Sequence, residues 1–216
     1  MNNKVIGIIS YLPDDKKIKN IRMKKLLRLL HSCNDIFNLP IIIIAQNYNE
    51  DDLKQIKQIN NISIYEFVKL GIVRARNALR NIFLKSPYSY LIMLDDDCSI
   101  SGTKEAGQKY LSQIDEHPNC YYEFNKSLLK LFAISNFMFN KIAFDEECNP
   151  ELEQGFEDRL FYNSLLKLYP NQHYKFKECG IYETSINSND SNSSWYKNQD
   201  LNVMLEKTQI KIDTLN

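Results

Sequence analysis

In the stretch YLIMLDDDCSI, three consecutive carboxylates, Asp95, Asp96 and Asp97, follow directly on the large apolar run Tyr90–Leu94. Like charges this close repel and raise one another's pKa, so they are kept together only where water or a cation compensates them. A single Asp at a strand end is ordinarily an exposed turn; three behind a fully apolar strand point to a site for a divalent metal with oxygen ligands. If the segment stays extended, Asp95 and Asp97 share one side and Asp96 takes the other, so the first and third can hold one ligand. Two further segments carry reactive residue types. VRARNALRN sets Arg76 and Asn77 near the start of a helix, where a guanidinium fork suits phosphate oxygens. FDEECNPELEQGFEDRLFYNSLLK sets Glu157 and Asp158 at the start of another. Acidic residues there complement the helix dipole, and a carboxylate in a cleft can also serve as a general base.

The elements that position these residues follow from periodicity. Val5–Tyr11 and Tyr90–Leu94 read as buried strands, and Ile41–Gln46 and Ile62–Val68 as two further strands. Between them lie a helix over Ile18–Phe37, a short helix from Asn49 and a helix opened by Gly71. Strand–helix alternation predicts βαβ units and an α/β fold with a mainly parallel central sheet. Ligands of such sheets sit at the carboxyl ends of the strands, where Asp95–Asp97 fall. Farther along, the pattern predicts a helix over Thr103–Glu116, a strand over Leu131–Phe139, a helix over Phe156–Leu168 and a last strand over His173–Glu183. Residues 187–198 are polar and low in complexity, and Leu201–Ile212 suits a short closing helix.

Composition narrows the function. The 216 residues suit one sizeable domain, and no Gly/Pro/Ser-rich linker divides them. Lys plus Arg and Asp plus Glu balance at 27 each, which excludes the global basic field of a dedicated nucleic-acid binder. Cys33, Cys98, Cys120, Cys148 and Cys179 are odd in number and contain no CxxC pair, so neither a disulfide framework nor a zinc ribbon is expected. No apolar stretch approaches the roughly 18 residues of a membrane span, and the expected location is the cytoplasm. The stretch KKIKNIRMKKLLR puts seven cations between Lys16 and Arg28, a face open to peripheral contact with an anionic membrane as well as to simple solvation.

Taken in order, ARN, LDDD and the FDEE…ED pair resemble the GT-A glycosyltransferases, in particular the family 2 type, over about Val5 to Tyr182. The resemblance implies a single GT-A domain over residues 1–186, with a nucleotide-sugar half to about 100 and an acceptor half from about 101, then a lid and tail over 187–216. It implies a nucleoside-diphosphate sugar donor, UDP-linked by preference, and Mn²⁺ or Mg²⁺ held by Asp97 and Asp95. Asp95 or Asp96 would reach the ribose or a metal-bound water, Arg76 the nucleotide phosphates, and Ser10 and Tyr11 at the end of the first strand the nucleotide base. Asp158 would be the general base of an inverting transfer. The acceptor is open among a glycan, a lipid-linked saccharide, a peptide and a modified nucleic acid. A third metal ligand is open too: His173 lies early for that role, and Glu183 and Asn187 are substitutes. Two other readings use the same residues: a nucleotidyltransferase of related fold, against which SYLPDDKK lacks the Gly-rich phosphate loop, and a non-catalytic interaction module. A haloacid-dehalogenase-type phosphatase would need its carboxylates in a DxDx[TV] frame after an early strand, and Asp95 is followed instead by DDCS.

Overall fold

The computed structural model describes residues 3–123, 131–146, 157–177 and 181–185. Its first half is built as the periodicity predicts. Strand β1 (Lys4–Tyr11) leads through a loop to helix α1 (Lys16–Ile36), whose N-terminus is capped by the Asp15 side chain accepting from Ile18 N. Strand β2 (Ile41–Gln46) follows, then helix α2 (Glu50–Lys57), opened by a reciprocal capping box between Asn49 and Asp52. Strand β3 (Ile62–Phe67), helix α3 (Ile72–Leu84) and strand β4 (Tyr90–Asp95) complete the run.

A seven-stranded sheet has the order β3-β2-β1-β4-β7-β6-β8, where β6 is Tyr121–Glu123, β7 Leu131–Ser135 and β8 His173–Lys175. Strands β1 to β4 are mutually parallel where they pair. Only β7 runs against its neighbours, and β6 and β8 are again parallel to each other. The fold is therefore α/β with a mainly parallel sheet, and the carboxyl ends of β1, β4 and β6 share one edge.

Alternation along the buried strands feeds two cores. Ile6 and Ile8 of β1 join the core beneath α1 and helix α4 (Lys104–Glu116). Val5 and Ile9 join the core beneath α3, α5 (Asn136–Phe139) and α6 (Glu157–Leu168). A Cβ at Gly7 would stand 2.7 Å from a Leu91 methyl and 2.8 Å from one of Leu79, so a larger residue there would make both leucines shift. Among the described residues no helix is long and apolar enough to cross a membrane.

The second half departs from the expectations in four places. The strand expected over Leu131–Phe139 ends at Ser135, whose side chain accepts from Met138 N and so starts α5 instead. The last strand expected over His173–Glu183 is two strands, β8 and β9 (Tyr182–Ser185). After β8, Phe176 N still donates to the Glu123 carbonyl of β6 at 3.1 Å, while its ring stacks on Tyr110 at 3.8 Å and Lys177 N bonds the Gln113 side chain, both on α4. Strand β5 (Cys98–Ser101), which pairs with β9 in a separate two-stranded sheet, and strand β6 were not anticipated. Residues 187–198 and Leu201–Ile212 lie outside the described residues.

Candidate functional site

Strand β4 ends at Asp95, and Asp96 and Asp97 form the turn into β5. The extended alternation that would set Asp95 and Asp97 on one side therefore stops after Asp95. The turn gives each carboxylate a different environment. Asp95 is level with Ile9 of β1 and stands 3.6 Å from the guanidinium Nη2 of Arg76. Asp96 turns to β1, where Ser10 Oγ donates to its Oδ2 at 2.6 Å and the backbone of Tyr11 bonds it as well. Asp97 is exposed.

Around Asp96 the donors and acceptors can be assigned. An ionised carboxylate only accepts, so the Ser10 hydroxyl spends its proton there, and the Tyr48 hydroxyl, 2.6 Å from Ser10 Oγ, donates to Ser10. Burial pushes the Asp96 pKa up, Asp97 adds to the rise, and Arg22, Ser10 and Tyr11 oppose it. Burial likewise pushes the Tyr48 phenol up, with the Asp96 charge next in size. Arg22 also donates to the Tyr11 carbonyl. Tyr11 thus contributes backbone groups to this network, and its side chain is half-buried.

Arg76 is 5% exposed, in the first turns of α3, with its guanidinium 5.3 Å from the centre of the Phe144 ring. A buried arginine is costly without an anion. Asp95 supplies one at the strand end, so Arg76 is no ordinary surface salt-bridging residue.

Two residues that the sequence reading left without a role hold the loop after α5. Asn77 donates from Nδ2 to the Phe144 carbonyl at 2.8 Å and accepts from Phe144 N at 2.9 Å, and also donates to Glu146 at 2.9 Å. One turn on, Arg80 Nε donates to the carbonyls of Phe139 and Ile142, both at 2.7 Å, and burial lowers its pKa. Their residue types were visible, and Arg76 and Arg80 share a helix face at i and i+4, but nothing in the sequence names their loop partners.

Asp158 stands half-buried in the first turn of α6, and its charge acts on Tyr121 of β6. His173 bonds Glu123 of β6 at 3.0 Å, so this candidate third ligand is engaged within the sheet. Glu183 lies on β9, opposite Ile100 of β5. Asn187 lies outside the described residues. Ser10, Asp95, Asp96 and Arg76 are thus brought together at the ends of β1 and β4, while Asp158 is placed against β6.

The donor set of the acidic turn is hard oxygen. Mg²⁺ and Mn²⁺ suit such a set, and Mg²⁺ commonly takes only one or two protein carboxylates, completed by substrate phosphates and water. The pair Asp95 and Asp97 fits that pattern. It does not form a dedicated protein cage: among the described residues no group of three or more His, Cys, Asp and Glu gathers around one point.

No protein-family model matches the sequence, and no curated protein does. Solved structures do match in fold. S. aureus TarS 1–349 superposes with a TM-score of 0.62 at 16% identity, covering 84% of this chain and 60% of TarS 1–349; it has also been solved in complex with UDP and with UDP-GlcNAc. The mannosyltransferase PcManGT from Pyrobaculum calidifontis, in complex with GDP-Man and Mn²⁺, gives 0.62 at 8% identity, covering 82% of this chain and 55% of that one. A cytidylyltransferase from Leptospira borgpetersenii gives 0.56 at 7% identity, covering 83% and 78%. The chain therefore spans about three fifths of TarS 1–349 and has the GT-A-like α/β fold shared by nucleotide-diphospho-sugar transferases and nucleotidyltransferases.

Proposed function

We propose that the protein transfers a sugar, with inversion, from a nucleoside-diphosphate donor to an acceptor nucleophile, with UDP as the preferred nucleotide. The observation that carries this reading is the junction of β1, β4 and α3. There a buried arginine, a hydroxyl network and an acidic turn meet at the carboxyl edge of a parallel sheet. Asp95 and Asp97 would hold Mn²⁺ or Mg²⁺, which when bound neutralises charge on the departing diphosphate. Arg76 adds a fixed positive charge beside the same phosphates. Ser10 and Asp96 offer a hydroxyl and a carboxylate to the ribose or base, and Tyr11 closes that end of the site. Asp158 takes the proton of the acceptor nucleophile, a role ordinarily contributing about 10²–10⁴-fold in rate. Residues 1–100 form the nucleotide half, 101–186 the acceptor half, and 187–198, with Trp195, a lid over the donor.

Calorimetry with UDP, GDP, CDP and TDP, with and without Mn²⁺, tests the site. Metal-dependent binding that is lost in Asp97→Asn is expected; tight metal-independent binding, or an unaltered Asp97→Asn, refutes it. The fold likeness to a cytidylyltransferase favours one second reading, a nucleotidyltransferase. Release of pyrophosphate from CTP or TTP in the presence of sugar phosphates would decide for it. The segment between β1 and α1, LPDD, has no glycine and two acids where a triphosphate cradle would be wanted.

A further inference from the structure

The fold uses two of the seven cations in KKIKNIRMKKLLR, the opening stretch of α1. Lys19 pairs with the buried Asp52 at 2.6 Å, and Arg22 donates to the Tyr11 carbonyl. Among the described residues no ion pair engages the other five, Lys16, Lys17, Lys24, Lys25 and Arg28. Asp14 and Asp15, the acids just before them, accept from Asn47 and from Ile18 N. The buried face of the helix is Met23, Leu26, Leu29, Leu30, Cys33 and Ile36. Opposite it Lys17, Ile21, Lys24, Arg28 and His31 are all exposed, at intervals of four, three, four and three residues. They form one straight stripe about 21 Å long, which Asp35 closes one turn on.

Three features separate this stripe from an ordinary solvated face. Lys24 and Arg28 stand one turn apart and repel, and no acid between Lys16 and Asn34 interleaves with them. Helix α2 has the ordinary arrangement, with Glu50, Asp51 and Asp52 in its first turn, Lys54 and Lys57 in its last, and Lys54 bonded to Asp51. Ile21, between Lys17 and Lys24, is 39% exposed although α1 buries a full apolar face elsewhere. Charge is also segregated. Seven of the chain's 27 cations and none of its 27 acids lie between Lys16 and Asn34, so a basic face stands on a body with seven acids in excess.

An anionic bilayer answers all three. Its headgroups supply counter-charge to a row of cations without a fixed pairing geometry, and its acyl boundary takes up an isoleucine. A nucleic acid would supply the charge but has no use for Ile21, and the stripe offers no aromatic ring for a base to stack on. We propose that the stripe from Lys17 to His31 docks the protein on an anionic lipid surface, with Ile21 at the acyl boundary and Lys17, Lys24 and Arg28 among the headgroup phosphates. The stripe shares no residue with the junction of β1, β4 and α3, so this inference and the transferase reading stand or fall separately.

The test is co-sedimentation of the full chain with vesicles of phosphatidylcholine, alone or with about 30% phosphatidylglycerol, at about 0.1 M and about 0.5 M NaCl. Binding to the anionic vesicles is expected to be about 10-fold or more tighter than to the neutral ones, and to weaken at the higher salt. The triple variant Lys17→Gln, Lys24→Gln, Arg28→Gln should bind about 100-fold more weakly, roughly fivefold for each cation removed. Ile21→Gln, at unchanged charge, should lose about threefold or more. A control that removes as many exposed charges elsewhere, Lys54→Gln, Lys57→Gln, Lys85→Gln, should stay within about twofold of the wild type. Calorimetry with UDP and Mn²⁺ should not distinguish the stripe variant from the wild type. Equal binding to both kinds of vesicle, or a stripe variant that binds as the wild type does, overturns the proposal. So does a control that weakens binding as much as the stripe variant, because net charge would then suffice. Tighter binding to mixed-sequence RNA than to anionic vesicles, with Ile21→Gln affecting neither, overturns it in favour of a nucleic acid.

Discussion

Replacing Asn77 with alanine should destabilise the protein by about 3 kcal/mol. The Asn77 amide closes a ring with the peptide at Phe144, bonding both its N–H at 2.9 Å and its carbonyl at 2.8 Å, and Phe144 is 2% exposed. Truncation strips both backbone groups of their partner in a buried setting, at about 1–3 kcal/mol each, and the bond to the half-exposed Glu146 adds less. The Arg80 bonds to Phe139 and Ile142 are independent and keep the preceding turn in place. The assay is urea unfolding. With m near 2 kcal/mol/M, the midpoint should fall by about 1.5 M at unchanged m. Asn77→Asp is the sharper variant, since its carboxylate still accepts from Phe144 N but faces the Phe144 carbonyl and Glu146 with no proton to give. It should be no more stable than Asn77→Ala. A loss below about 1 kcal/mol in Asn77→Ala, or an Asn77→Asp protein near wild type, would show that the loop is held by something else.

Gly107→Ala would set a Cβ 2.1 Å from the Ile36 carbonyl oxygen, backbone against backbone, so α4 must move off α1; a loss of about 1–3 kcal/mol, read as a melting temperature lower by several degrees, is expected, and a wild-type value refutes the contact. Burial pushes the Cys33 thiol from 9.0 up to about 12. A raised folded pKa favours folding below the unfolded value and withdraws that support as pH rises. Stability should therefore decline from about pH 9 towards 12, and iodoacetamide at pH 8.5 should leave Cys33 unlabelled until the protein unfolds, as mass spectrometry would show. Asp158→Asn should bind UDP and Mn²⁺ as the wild type does but lose transfer by about 10²-fold or more, and NMR of the wild-type product should show an inverted anomeric centre; normal transfer or retention removes Asp158 as the base.

The first half of the chain was legible because β1, β2 and β4 are nearly continuous apolar runs, β3 alternates, and α1 and α2 open on capping side chains. Connection rules then make β1 to β4 parallel, while the placing of β4 on the far side of β1 from β2 has no local signal. The second half was not, for reasons local to particular residues. YYE is three residues long, and only pairing with β7 and β8 makes it a strand. LFAISNFMF is apolar on both sides of Ser135 and Asn136, and the Ser135 hydroxyl decides where strand becomes helix. Phe176 stacks on a ring of α4 that is 66 positions away in sequence, which no local pattern records. Asn77 and Arg80 were visible as residue types, but their partners are backbone carbonyls, which have no signature in a sequence.

The acidic triplet shows how the same limits apply to chemistry. Its cost was legible, and its solution was not. Three adjacent carboxylates on an extended strand would oppose one another across two faces. The fold instead ends the strand at the first and spends a turn on the other two. Asp95 is set against a buried guanidinium, and Asp96 accepts from a serine that a tyrosine in turn supplies. Asp97 faces solvent. Each thus has a different capacity for a ligand. A cation approaching the turn meets the exposed carboxylate of Asp97 first, and draws on Asp95 only in competition with Arg76. A phosphate brought in with the cation can take up the arginine that the cation displaces. Metal and diphosphate should accordingly bind together more tightly than either alone, and Arg76→Lys, which keeps the charge but loses the fork, should weaken that coupling more than it weakens the binding of metal alone.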